Sequence, residues 1–187
     1  MQSLLQELSQ RCFLSSELQQ QVKSCFEVKE LKKGEKILSN GQRANYLYFI
    51  EKGVLHTYYY HDDKQISSWF YAEHLFITSW HSFYAQKPSF ESIECLEDCI
   101  LYHVSYQDYQ KLIAEFPAFG NFARLLAEEM LTFIDEFSKG WSFLSAKEKY
   151  QLLLTYFPDV ELRVKLGYIA SFLGISQETL SRLRAGK

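Results

Sequence analysis

The chain has 187 residues, a formal net charge of −3 and 47% hydrophobic residues, so it is a folded protein with enough apolar content for one large domain or two small ones. No apolar run approaches the roughly 18 residues of a membrane-spanning helix. The opening MQSLLQELSQRC lacks the charged start and apolar centre of a secretory signal, so the expected location is the cytoplasm, with no membrane partner. From residue 3 to about 25, Leu4, Leu5, Leu8, Leu18 and Val22 form an amphipathic pattern interrupted near Ser15 and Ser16, which predicts one or two short helices. The period changes at Glu27. Short β-branched and aromatic runs follow, punctuated by Gly34, Gly41, Gly53 and the polar turn His61 to Lys64, with a second set at Phe90 to Glu94 and Ile100 to Val104. Strands at spacings of about 8 to 12 residues with turn signals indicate a sandwich or barrel.

Ser105 with Asp108 opens a helix to about Glu115, and Pro117 suits the first turn of a longer one running to about Lys139. In this longer helix Phe119, Phe122, Leu126, Met130, Phe133, Phe137, Trp141 and Leu144 recur at steps of three and four. Such a stripe can lie on the protein's own sandwich or against the same helix of a second subunit, and periodicity leaves both open. The candidate dimer seam is Phe122, Leu126, Met130, Phe133 and Phe137. Gly140 and the stretch Ser142 to Ser145 break the pattern and mark a hinge between two domains. Ser145 and Glu148 then form a capping box that opens a helix ended by Pro158.

Leu166 to Ala185, LGYIASFLGISQETLSRLRA, reads as helix, glycine turn, helix. Leu166, Ile169, Ala170 and Leu173 share one face of the first helix, Gly174 permits a left-handed turn, and Ser176 is an N-cap with Glu178 in the first turn behind it. On the second helix Ser176, Thr179, Leu180 and Leu183 gather on one side and Gln177, Glu178, Ser181, Arg182 and Ala185 on the other. From Arg163 onward the local charge is +4, which leaves −7 for the rest of the chain; basic residues are concentrated where phosphates would sit.

These residues resemble the helix-turn-helix of bacterial transcription regulators. Together with Lys33-Gly34-Glu35, Asn40-Gly41, the run YLYFIEKG from Tyr46 to Gly53 and ISQETLSR from Ile175 to Arg182, they make the chain from about residue 20 onward resemble the Crp/Fnr, or cyclic-AMP receptor, family. The resemblance implies an α+β fold: a cyclic-nucleotide-binding-like β-roll of jelly-roll type with flanking helices over residues 1–116, a long dimerisation helix over 117–141, and a winged-helix-like helix-turn-helix domain over 145–187. It implies a dimeric, sequence-specific DNA-binding transcription regulator, not an enzyme, that binds a palindromic site. Its partners would be double-stranded DNA and a second copy of the chain, and it admits RNA polymerase and a small-molecule effector as further partners. It assigns base contacts to Gln177, Glu178, Ser181 and Arg182, and phosphate contacts to Lys165, Ser176, Thr179, Arg184 and Lys187. Residue chemistry permits these roles: Arg suits guanine, Gln adenine and Glu the cytosine amine, while hydroxyls at a helix N-terminus suit phosphate.

The resemblance stops at the ligand site. Members that bind cyclic AMP carry a Gly-Glu pair and an Arg followed by Ser or Thr, whereas here no glycine occurs between Gly53 and Gly120 and no arginine between Arg43 and Arg124. Pro88-Ser89 stands where Arg-Ser is found. A cyclic phosphate needs an opposing charge with directed donors, so the effector is expected to be something other than cyclic AMP, or absent, with Tyr71, Ser79, Ser82, Pro88 and Ser89 as the candidate pocket. The five histidines, His56, His61, His74, His81 and His103, offer no short metal spacing, and Cys12, Cys25, Cys95 and Cys99 form no CxxC pair; no metal or cofactor is expected, and the cysteines read as buried small hydrophobes. Two other functions compete with the regulator: a ligand-binding roll without DNA binding, and a cupin-like barrel enzyme, which the scattered histidines do not equip.

Overall fold

The computed structural model describes residues 1–185; Lys187, a candidate phosphate contact, lies outside the described residues. Helices α1 (Gln2–Ser9) and α2 (Ser16–Cys25) form because Leu4 and Leu8, then Leu18 and Val22, fall on buried stripes, and because the Ser15 hydroxyl accepts from the Leu18 N–H at the start of α2. The strands follow: β1 (Glu27–Leu31), β2 (Lys36–Leu38), β3 (Tyr46–Lys52), β4 (Leu55–His61), β5 (Lys64–Tyr71) and β6 (Phe76–Ile77), then α3 (Trp80–Ala85), β7 (Ser92–Cys95) and β8 (Cys99–Ser105). They make two four-stranded antiparallel sheets, ordered β1-β8-β3-β6 and β2-β7-β4-β5. Strands remote in sequence are neighbours in space, the topology of a jelly roll. Leu47, Phe49, Leu55, Ile93 and Leu101 fill it, and Cys95 and Cys99 are buried in it.

Helix α4 (Tyr106–Glu115) is capped by Ser105, whose hydroxyl accepts from the Asp108 N–H. It leads into the long α5 (Pro117–Gly140). Phe122 and Leu126 are 0% and 2% exposed in the core of the roll, so these two candidate seam residues cannot meet a second copy. Phe133 and Phe137 set their rings against Trp69 at 4.7 and 5.1 Å, and Met130 is half-buried. The stripe of α5 is therefore a packing surface of its own chain. The apolar residues that α5 leaves exposed are Leu131 and Ile134.

A 3-10 turn over Trp141–Phe143 leads to α6 (Ala146–Tyr156), opened by the predicted capping box of Ser145 and Glu148. Then come α7 (Val160–Arg163), α8 (Leu166–Leu173) and α9 (Gln177–Arg184). The short α7 is unforeseen in the sequence. Among the described residues no strand follows β8, so the C-terminal helices carry no wing there. These helices are also packed against the roll. One apolar cluster joins Val54, Phe70 and Leu96 of the roll to Leu153, Phe157, Ile169, Phe172 and Leu180. Trp69 is its hub, with Phe133, Phe137, Phe172 and Tyr156 edge-on within 5.8 Å; each such aromatic pair adds about 0.5–1.5 kcal/mol beyond the area it buries.

Candidate nucleic-acid interface and effector cavity

Helix α8 buries Ile169, Ala170, Phe172 and Leu173 and ends at Gly174, which has φ 69° and ψ 31°. The Ile175 N–H donates to the Ala170 carbonyl at 3.0 Å and the Gly174 N–H to the Ser171 carbonyl at 3.2 Å. This is a Schellman closure, which satisfies the helix's last carbonyls and turns the chain sharply. Ser176 then caps α9 by accepting from the Thr179 N–H at 3.2 Å. The Ser176 hydroxyl also holds the Glu178 carboxyl below its usual range. Leu180 is fully buried and fixes the roll angle of α9, so Gln177, Glu178, Ser181 and Arg182 all stand exposed on the outward face. Arg182 leans on the Thr179 hydroxyl at 3.3 Å. Gln177 leans back over Gly167, where a Cβ would lie 3.2 Å from its amide nitrogen.

The predicted phosphate contacts divide. Ser176 and Lys165 are exposed, Thr179 is half-buried, and the Lys165 ammonium lies 5.8 Å from the Tyr168 ring centre. Arg184 is paired to Glu161 at 2.5 Å and is not a free cation. Arg163 is likewise spent within the chain. Its guanidinium grips Glu73 through two bonds of 2.7 Å, and also binds Glu97, both on turns of the roll. Burial works against the charge on Glu73, but the bonds from Arg163 and from the Gly53 N–H prevail and bring its pKa down to about 2. The local surplus of +4 is thus smaller at the surface than in the sequence.

Arg163 is one of three attachments that sequence reasoning missed. Ser171 on α8 is the second: its hydroxyl accepts from the Ser67 N–H at 3.2 Å and donates to the Gln65 carbonyl at 3.0 Å, stitching α8 to the edge strand β5. The third is His56 on β4, fully buried, with its ring 4.7 Å from that of Tyr168 and neither ring nitrogen hydrogen-bonded within the chain. Burial lowers its pKa to about 4. No spacing signal marks these residues, because each is defined by what lies across the roll–helix contact.

The candidate effector residues mostly serve the fold. Ser82 accepts from the Ala44 N–H at 2.9 Å and donates to the Lys87 carbonyl; Ser89 bonds the Ser79 hydroxyl at 3.0 Å and accepts from the Glu91 N–H at 3.1 Å. All three serines are buried, and Pro88 is exposed beside Arg43. Of the five, only Tyr71 lines the cavity of about 380 Å³ between the roll and α5, whose other walls include Thr57, Ser68, Trp80, Glu91 and Phe137. No lysine or arginine lines it. Burial pushes the Glu91 carboxyl up, against a bond from Ser79.

Residues 28–116 match the family model described as cyclic nucleotide-binding domain. No curated protein matches the chain. Among solved structures, FixK2 from Bradyrhizobium japonicum is similar at 16% identity and a TM-score of 0.75, over 86% of this chain and 83% of that one. A Crp/Fnr-family transcriptional regulator from Eubacterium rectale gives 17% identity and 0.71, over 92% and 83%. The catabolite activator protein of Thermus thermophilus gives 18% and 0.60, over 92% and 83%. The roll is thus similar in sequence to cyclic nucleotide-binding domains, and the chain around it shares the fold of Crp/Fnr-type regulators.

Proposed function

We propose that the chain is a dimeric, sequence-specific DNA-binding transcription regulator of the Crp/Fnr type with an effector other than cyclic AMP, or none. The observation that carries this reading is α9: a capped helix, anchored by the fully buried Leu180, that presents Gln177, Glu178, Ser181 and Arg182 together to solvent. Side chains of these types match base edges in a major groove. Lys165, Ser176 and Thr179 flank that face and serve the phosphates, with Arg184 reaching them only by leaving Glu161. Residues 1–116 act as the sensing unit, 117–141 as the connecting helix and 145–187 as the reading unit. A second copy packs along the outer face of α5 at Leu131 and Ile134. No helix among the described residues is long and apolar enough to cross a membrane, and the working place of such a regulator is the cytoplasm, with RNA polymerase as a downstream partner.

A cyclic phosphate in the cavity of about 380 Å³ would find His81 as its nearest candidate cation and would face Glu91, the reverse of what an anion needs. Selection of duplexes from a random library tests the whole reading. Wild-type protein enriches a palindrome, the same with and without cyclic AMP, and Arg182→Ala loses preference at one position of each half-site, a loss of about 1–3 kcal/mol of discrimination. No enrichment under any condition would reject it.

A further inference from the structure

A second cavity, of about 230 Å³, lies where three parts of the chain meet. The roll supplies Trp69, Ala72 and Phe76, α5 supplies Met130 and Phe133, and Phe157 closes it behind α6. At its rim His74 adopts φ 68°, a left-handed conformation that costs a non-glycine residue about 1 kcal/mol or more. Bonds from the His74 N–H to the Ile50 carbonyl, and from the Ile50 N–H to the Leu75 carbonyl, hold this turn in place. The rim also carries Arg11, whose guanidinium is already committed to Glu7 and Glu129. An ionic ligand would therefore find its counter-charge taken, while an uncharged apolar one meets ring and aliphatic walls.

We propose that this cavity binds a small, uncharged, two-ring aromatic molecule, and that occupancy tightens the docking of the C-terminal helices on the roll. Size sets the ring count: an apolar cavity of about 150 Å³ accepts benzene, and this one is larger by about one further ring. The coupling follows from the walls. Trp69 touches α5, α6 and α8 together, and Ala72 adjoins Glu73, which grips Arg163 at the end of α7. The walls are complete only while the units are docked, so a ligand that needs all of them stabilises that arrangement. This goes beyond the DNA-binding reading and does not depend on it.

The chain contains two methionines, Met1 and Met130, so methyl-labelled methionine gives one resonance at the cavity and one reference. With 2-naphthol as the probe, the Met130 methyl shifts saturably while Met1 stays in place. Met130 also lines the neighbouring larger cavity, so Ser68→Leu, which narrows that neighbour, serves as the control and keeps the shift; Ala72→Phe abolishes it. The charged analogue 2-naphthoate binds at least about 10-fold more weakly. Saturating 2-naphthol slows hydrogen exchange of the α8 amides in wild type and not in Ala72→Phe. If Ala72→Phe fails to fold, wild-type protein decides with phenol, 2-naphthol and 2-anthrol, the two-ring compound giving the tightest saturable shift. Absence of a saturable shift, equal affinity across the three sizes, or a shift lost in Ser68→Leu but kept in Ala72→Phe overturns the site. Unchanged α8 exchange overturns the coupling. Every readout is made without DNA, so a chain that selects no duplex leaves this test intact.

Discussion

Gly174 and Gly53 both hold positive φ, 69° and 109°, yet for different reasons. A Cβ at Gly174 would touch nothing within 4 Å, so its requirement is the turn alone. At Gly53 the Cβ would collide with the Cys99 thiol and come within 2.9 Å of the Cys99 Cα, so backbone must move as well. Gly174→Ala should cost about 1 kcal/mol, the penalty of a left-handed L-residue, and Gly53→Ala about 3 kcal/mol or more, because close-packed backbone does not give way cheaply. Urea unfolding of the two variants checks the order, and a Gly53→Ala loss no larger than that of Gly174→Ala would contradict the packing account. Only the first of these glycines was legible as a mechanism in the sequence. Its neighbours Leu173, Ile175 and Ser176 announce a helix end and a new cap, whereas what presses on Gly53 comes from residues more than forty positions away. Ser79, Ser82 and Ser89 teach the same lesson in reverse. They read as ligand donors by composition, but the turns around them use up their hydroxyls.

At the scale of elements, local signals were sufficient wherever a helix carries its own start and stop. Ser105 and Ser145 cap as their spacing to Asp108 and Glu148 suggests, and Ser176 caps as its residue type suggests, with Thr179 in the third place beyond. The stripe of α5 was legible as a stripe and not as a partner choice, since a helix lying on a roll and a helix lying on its twin demand the same period. The missing partner information is in Trp69, Phe172 and Tyr156, which close over Phe133 and Phe137 from other elements. What remains for a second copy is the face bearing Leu131, 68% exposed, and Ile134, 47% exposed. If the proposed dimer forms through that face, Leu131→Asp should shift it from dimer to monomer at micromolar concentration, as seen by sedimentation equilibrium. The monomer's thermal midpoint should stay within about 2 °C of that of wild type measured below the dimer's dissociation constant, because an exposed substitution moves stability by only about 0.5 kcal/mol. The same experiment on Phe122→Ala should instead lower stability by about 3–5 kcal/mol, a core cavity with no effect on association of the protein that still folds.

For the whole molecule the decisive feature is that α8 and α9 share an apolar cluster with the roll, so the roll takes part in setting the orientation of α9. Two groups make this docking sensitive to acid, in different windows. His56 is buried between β4 and α8, ringed by Tyr58, Phe70 and Tyr168, and its cross-strand partner Glu94 takes a bond from the Tyr58 hydroxyl. Its pKa is about 4 when folded against an ordinary 6.5, so the unfolded or undocked chain binds the proton better. The stability it permits is complete above pH 6.5 and lost as the pH falls towards 4, a loss on the order of 3 kcal/mol. Glu73, held near 2 against an ordinary 4.5, adds stability that is complete above pH 4.5 and lost only as the pH falls towards 2; its partial exposure makes that contribution the smaller one. His56→Phe, which keeps a ring among rings and removes the titration, should flatten the stability profile between pH 6.5 and 4 while leaving the fall below 4.5 that depends on Glu73. Glu73→Gln should do the opposite. Urea midpoints measured at half-unit pH steps separate the two, and an unchanged slope above pH 4.5 in His56→Phe would show that the roll–helix contact is held by something other than a neutral, buried imidazole.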